Sequence, residues 1–114
     1  MATVQGKADV QADGVVVVSW LAMTEADTGS GIALARFPDK TVQVTGDFTT
    51  SGAITMQGSN DGSTWATLHD PQGSELVLTD SALKLISENP LYIRPAATAG
   101  TSVSMNVYVV GSPR

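Results

Sequence analysis

The side chains able to do chemistry are few. The 114-residue chain has one histidine, His69, and no cysteine. A hydrolytic triad or a histidine-rich metal centre cannot be built from His69 alone. Without cysteine there is no thiolate nucleophile, no thiolate metal site and no disulfide. Asp70 stands beside His69 and could orient its ring, but Asp70-Pro71-Gln72-Gly73 has the composition of a turn, which makes His69 a surface or strand-end residue. Asn60-Asp61-Gly62 offers the side-chain oxygens that open a calcium loop. No acids follow at alternate positions and no glutamate closes it, so a hairpin turn is the better reading. Asp9 with Asp13, or Glu25 with Asp27, have the spacing of an acid–base pair. They lie in arm and loop segments with no apolar pocket to drive their pKa values apart, and are expected to be solvated charges. Gly29-Ser30-Gly31 lacks the Lys-Ser/Thr pair of a phosphate-binding loop. No catalytic residue, metal ligand or cofactor site is therefore expected, and the chain is expected not to be an enzyme.

What remains is chemistry of recognition. Arg94, in Tyr92-Ile93-Arg94-Pro95, points out of a short strand in a chain with only six Lys and Arg residues. Arginine is favoured where paired hydrogen bonds cross an interface, and a local salt bridge is the alternative role. Trp20 and Trp65 are expected to be core or half-buried, with an aromatic platform for sugar as the functional alternative. Arg94, Tyr92, Trp20, Asn60 and Asp61 are the candidate interface residues.

The elements that must carry these residues follow from period-two alternation, the mark of strands with one buried and one wet face. Thr41-Val42-Gln43-Val44-Thr45 sends its valines one way, and Ile54-Thr55-Met56-Gln57 repeats the pattern. Along Ser102–Val109, Val103, Met105, Val107 and Val109 share one side. Val15–Leu21 is apolar on both faces until Ser19 and predicts a strand covered on both sides. Leu91–Arg94 is a short strand closed by Pro95. Turn residues separate these runs at Asp13-Gly14, Thr28–Gly31, Ser59–Gly62, Asp70–Gly73 and Ala99-Gly100, and Asp47–Gly52 predicts a hairpin with a long loop. Thr79–Glu88 has a capping residue, a helix-friendly middle and Pro90 beyond its end. It predicts one short helix, with Leu83-Lys84-Leu85 as a competing strand. Residues 1–12 are polar and predict a flexible arm, leaving 13–114 as one all-β domain, a β-sandwich or jelly-roll with at most one short helix.

Composition bounds the partners. A net charge of −5 repels phosphate backbones and anionic membrane surfaces. Only 15% of residues are charged, where about a quarter is usual, so Ser, Thr, Gln and Gly cover the surface. A neutral polar surface suits a protein packed against protein neighbours. Residues 1–7 lack the basic-then-apolar layout of a signal peptide, and the longest apolar run falls far short of the roughly 20 residues of a membrane span.

One block is recognisable: Asp39–Gly46, Ile54–Trp65, Leu68 and Tyr92–Pro95. Together these segments resemble the small structural proteins of tailed bacteriophages, in particular capsid decoration (cement) proteins with jelly-roll or similar sandwich folds. The likeness covers roughly Phe37–Val110. The Ser-Asn-Asp-Gly-x-x-Trp element by itself is also similar to a hairpin of discoidin-like carbohydrate- or lipid-binding sandwiches. Its combination with Thr-Val-Gln-Val and Ile-Arg-Pro favours the phage group. The resemblance implies a protein made in the host bacterial cytoplasm that binds the outside of the virion shell as a dimer or trimer and bridges neighbouring major capsid protein subunits. It implies no catalytic residues and no contact with nucleic acid or membrane. A tail or baseplate component and a discoidin-like sugar-binding module are the alternatives.

Overall fold

The structure is a computed structural model that describes residues 3–10, 14–24, 26–48, 52–99 and 103–113. Among the described residues twelve strands run in chain order: β1 Thr3–Val4, β2 Lys7–Val10, β3 Val16–Met23, β4 Thr28–Gly29, β5 Ile32–Ala33, β6 Asp39–Asp47, β7 Ala53–Ser59, β8 Ala66–Thr67, β9 Val77–Leu78, β10 Ala82–Ile86, β11 Tyr92–Ala99 and β12 Ser104–Ser112. They form two sheets. The five-stranded sheet has the order β10-β6-β12-β3-β2. The seven-stranded sheet runs β1-β4-β11-β7-β8, with β5 also on β11 and β9 also on β7. The fold is an all-β sandwich.

Alternation along the strands builds the core between the sheets. Val42 and Val44 of β6 and Met105, Val107 and Val109 of β12 are fully buried, and β3 adds Val16, Val18, Trp20 and Met23. Ile54, Met56 and Ile93 close the core from the other sheet. Trp20 and Met23 both face inward although they are three residues apart. A bulge opposite Asn106 absorbs the extra residue: Ala22 takes a positive φ of 57° and its N–H donates to Asn106 Oδ1. Leu21 is thereby turned outward and exposed. The strand expected to be covered on both sides is thus sealed on one side only.

Four expectations are corrected. The helix over Thr79–Glu88 is strand β10, which pairs residue by residue with Val44 to Lys40 of β6. Helical propensity here is a weak local preference, and the ladder together with burial of Ile86 outweighs it. The Asp47–Gly52 connection is not a hairpin, because β6 and β7 belong to different sheets. Its residues 49–51 lie outside the described residues. Strand β11 does not stop at Pro95. Met56 directs its N–H and C=O to Leu76 and Leu68, away from β11, so Pro95 opposite it points its missing N–H toward the gap between β5 and β4. The stretch expected as a flexible arm contributes β1, parallel to β4, and β2, antiparallel to β3. Residues 1, 2, 11 and 12 of that stretch lie outside the described residues.

Candidate recognition surfaces

The two sheets present two different outer faces. On the five-stranded sheet the ladder aligns outward side chains in rows. Leu83, Gln43, Tyr108 and Ser19 form one row, and Leu85, Thr41, Val110 and Val17 the next. The rows carry no charge until they reach Lys7 and Asp9 on β2. Leu83 and Leu85 are 64% and 48% exposed, unusual for leucines side by side on one strand. Lys84 lies between them on the opposite face of β10, at the rim. A lysine there guards the open strand edge against pairing and leaves the face available.

On the seven-stranded sheet, β11 turns Ile93 into the core and Arg94 outward. Arg94 stands opposite Gln57 of β7, and its Nε donates to Gln57 Oε1 at 2.8 Å. The β7–β8 hairpin folds Trp65 under it, with the guanidinium carbon 4.1 Å from the ring centroid. The alternative role, a local salt bridge, is not seen: among the described residues no carboxylate lies within ion-pair distance of Arg94. An ion pair does join His69 and Glu88. Tyr92, two residues away on the same face, is half-buried and packs near Gly62.

The other candidate residues serve the fold. Asn60 Oδ1 accepts the Leu91 N–H. The Asp61 carboxylate accepts the Thr64 and Ser63 N–H groups and the Ser59 hydroxyl, which hold its pKa well below the usual carboxylate range. Gly62 at φ 79° completes the turn, as its composition predicts. Trp20, expected in the core or half-buried and also named as an interface candidate, is 0% exposed and reaches from β3 to the Ser30 carbonyl beside the other sheet, so only its interface candidacy is corrected. Asp27, expected to be a solvated loop charge, is buried, and its carboxylate accepts the Thr24 N–H and hydroxyl. Glu25 and Asp13 lie outside the described residues.

A cleft of about 430 Å³ opens between the β7–β8 hairpin and residues 88–90. Its polar groups are largely engaged. Ser59 holds Asp61, Asn89 accepts from Lys40, and Glu88 accepts the His69 N–H while its other oxygen lies 2.6 Å from His69 Nδ1. His69 is paired with Glu88, not with the neighbouring Asp70, which opens a turn by accepting the Gln72 and Ser74 N–H groups. Burial pushes the Glu88 pKa up, but the hydrogen bonds and charge of His69 outweigh it and leave the group below its ordinary 4.5. A carboxylate with a depressed folded pKa stabilises the fold above the unfolded value and loses that contribution as pH falls through the folded one. Glu88→Gln is therefore expected to flatten the fall of the urea midpoint below about pH 4.5, by less than about 1 kcal/mol because the pair is partly exposed. An unchanged acid limb would show that the pair does not contribute.

Sequence reasoning missed Lys40. It is 1% exposed, its Nζ donates to the Phe37 carbonyl at 2.8 Å and to Asn89 Oδ1, and Asn89 in turn donates to the Ala35 carbonyl. The signal was parity: Lys40 shares the inward phase of Val42 and Val44.

The architecture has a phage-derived counterpart. The chain is similar in fold to the SPBc2 prophage-derived protein YomS, at TM-score 0.61 and 14% identity over 90% of this chain and 100% of that one. Looser likenesses include an uncharacterised protein with a double-stranded β-helix domain from Klebsiella pneumoniae, at TM-score 0.47 and 16% identity over 96% and 76% of the two chains. Another is hydroxypropylphosphonic acid epoxidase from S. wedmorenis, at TM-score 0.46 and 18% identity over 93% of this chain and 49% of that one. At such identities the likeness is one of fold. No family model and no curated protein matches the sequence. The expectation that the chain is not an enzyme is withdrawn. Counting histidines and cysteines eliminates only the chemistries that need them.

Proposed function

We propose that this chain is a structural component of a phage particle, a decoration protein that docks on the outside of the capsid shell and bridges neighbouring major capsid protein subunits. The observation that carries the reading is the outer face of the five-stranded sheet, whose two central rows are uncharged as far as Lys7 and Asp9 on β2 and begin at the exposed Leu83 and Leu85. Strands about 4.8 Å apart and up to about 30 Å long give a face on the order of 500 Å², a large part of the roughly 800 Å² per partner of a stable interface. A rigid sandwich loses little conformational entropy on docking. Many copies on one shell then add their separately modest contacts. The likeness in fold to a prophage-derived protein over nearly the whole chain supports the same reading. The sugar-platform alternative loses its aromatics, since Trp20 is sealed in the core and Arg94 covers a face of Trp65.

Co-sedimentation tests this. The purified chain is expected to pellet with intact, undecorated shells of its phage at micromolar concentration. The double substitution Leu83→Asp, Leu85→Asp is expected to weaken pelleting at least tenfold, since burying each leucine contributes about 1.5–3 kcal/mol and each aspartate would be desolvated. Both positions are exposed, so the variant keeps its core. A wild-type chain left in the supernatant with intact shells overturns the proposal.

A further inference from the structure

A staple needs a second jaw, and the opposite side of the sandwich supplies a group built for one. We propose that Arg94, clamped by Trp65 and Gln57 on the outer face of the seven-stranded sheet, is a preformed receptor for a carboxylate side chain of a neighbouring capsid subunit. The inference rests on the capsid reading above and adds to it the anchor residue and the chemistry of its partner.

Three observations converge on Arg94. First, its position is set before any partner arrives: the ring stack at 4.1 Å and the 2.8 Å Nε bond to Gln57 remove most of its rotamer freedom. A preorganised guanidinium loses less entropy per hydrogen bond than a lysine would. Second, its terminal nitrogens are open. Among the described residues no buried side-chain nitrogen or oxygen lacks a partner, and the Arg94 terminal nitrogens have no partner there, so they are not sealed from solvent. Third, its charge is uncompensated. No described carboxylate pairs with it, in a chain whose net charge is −5. With Nε taken by Gln57, the side-on fork is closed and the end-on pair of Nη groups is free. That pair matches the two oxygens of one carboxylate. A polyanion such as nucleic acid fits less well, because the surrounding acidic protein repels a phosphate backbone that a single carboxylate would not reproduce. An arginine beside a tryptophan and a tyrosine is also the composition of interface hot spots.

The test is shell co-sedimentation over a salt series from 50 to 500 mM. The wild-type chain is expected to bind tightest at low salt and weaken as salt rises. Arg94→Gln is expected to bind about thirtyfold more weakly at low salt and to lose most of the salt dependence. Arg94→Lys keeps the charge without the fork and is expected to retain the salt slope while losing most of the affinity. Gln57→Glu guards against misfolding of the arginine variants. It places a carboxylate of the chain's own against the guanidinium, leaves thermal stability at or above wild type, and should compete with the partner's carboxylate, weakening binding about tenfold. If the wild type binds shells and all three variants match it in affinity and salt slope, the anchor is wrong while the capsid reading stands. If the wild type fails to bind, both fall.

Discussion

Trp20→Ala is expected to lower the unfolding free energy by about 4 kcal/mol, against the roughly 5–15 kcal/mol that holds a domain of this size folded. The indole leaves β3 and crosses the interior to the other sheet, where its Nε1 donates to the Ser30 carbonyl at 3.0 Å. Two glycines make room for it. A Cβ on Gly6 would lie 2.7 Å from Nε1, and one on Gly29 2.8 Å from Cδ1. Backbone thus approaches the ring closely at Nε1 and at Cδ1, where no side chain stands to fill the space alanine would leave. The cost combines lost burial, a cavity and an orphaned carbonyl. Trp20→Phe keeps most of the apolar volume and loses the hydrogen bond, for about 1–2 kcal/mol. Urea unfolding followed by circular dichroism reads both, with the slope unchanged if only stability moves. A midpoint near wild type for Trp20→Ala would show that Trp20 does not hold the sheets together.

The second large effect is expected at Lys40. Its stem occupies a core position of β6 and its ammonium joins the loop around Phe37 to the segment carrying Asn89. Lys40→Ala removes the stem and leaves a carbonyl and an amide oxygen without their donor, and is expected to cost about 2–4 kcal/mol. Lys40→Met keeps the volume and isolates the charge. Burial lowers the Lys40 pKa, and the charge of Asp39 offsets this only in part. Between the lowered folded value and the ordinary 10.5, the unfolded chain binds more protons than the folded one, so stability rises with pH across that window. Lys40→Met is expected to abolish that alkaline rise, measured as the urea midpoint between pH 7 and 10.5. A rise of equal size in the variant would assign it to another group.

The sandwich was legible because its signal is local. Neighbouring side chains on a strand point to opposite faces, so the burial of Val42 and Val44, or of Val103, Met105, Val107 and Val109, follows from residues two apart. The Ser59–Gly62 hairpin was legible for the same reason: its hydrogen bonds close within the loop. Where local signals competed they failed. Thr79–Glu88 carries helix capping and strand alternation at once, and the exposed edge of β6 decided between them.

The sequence by itself determined an all-β chain, most of its core-facing residues, its turns and its acidic, sparsely charged surface. Tertiary structure alone decided which sheet each strand joins, that Pro95 sits inside a strand, that Trp20 is sealed while Trp65 carries Arg94, and that Lys40 is buried on Asn89, 49 residues away. The physical reason is range. Alternation and turn chemistry are written in residues a few positions apart, whereas sheet membership, ring stacking and the burial of a charge depend on partners that only the closed chain brings together.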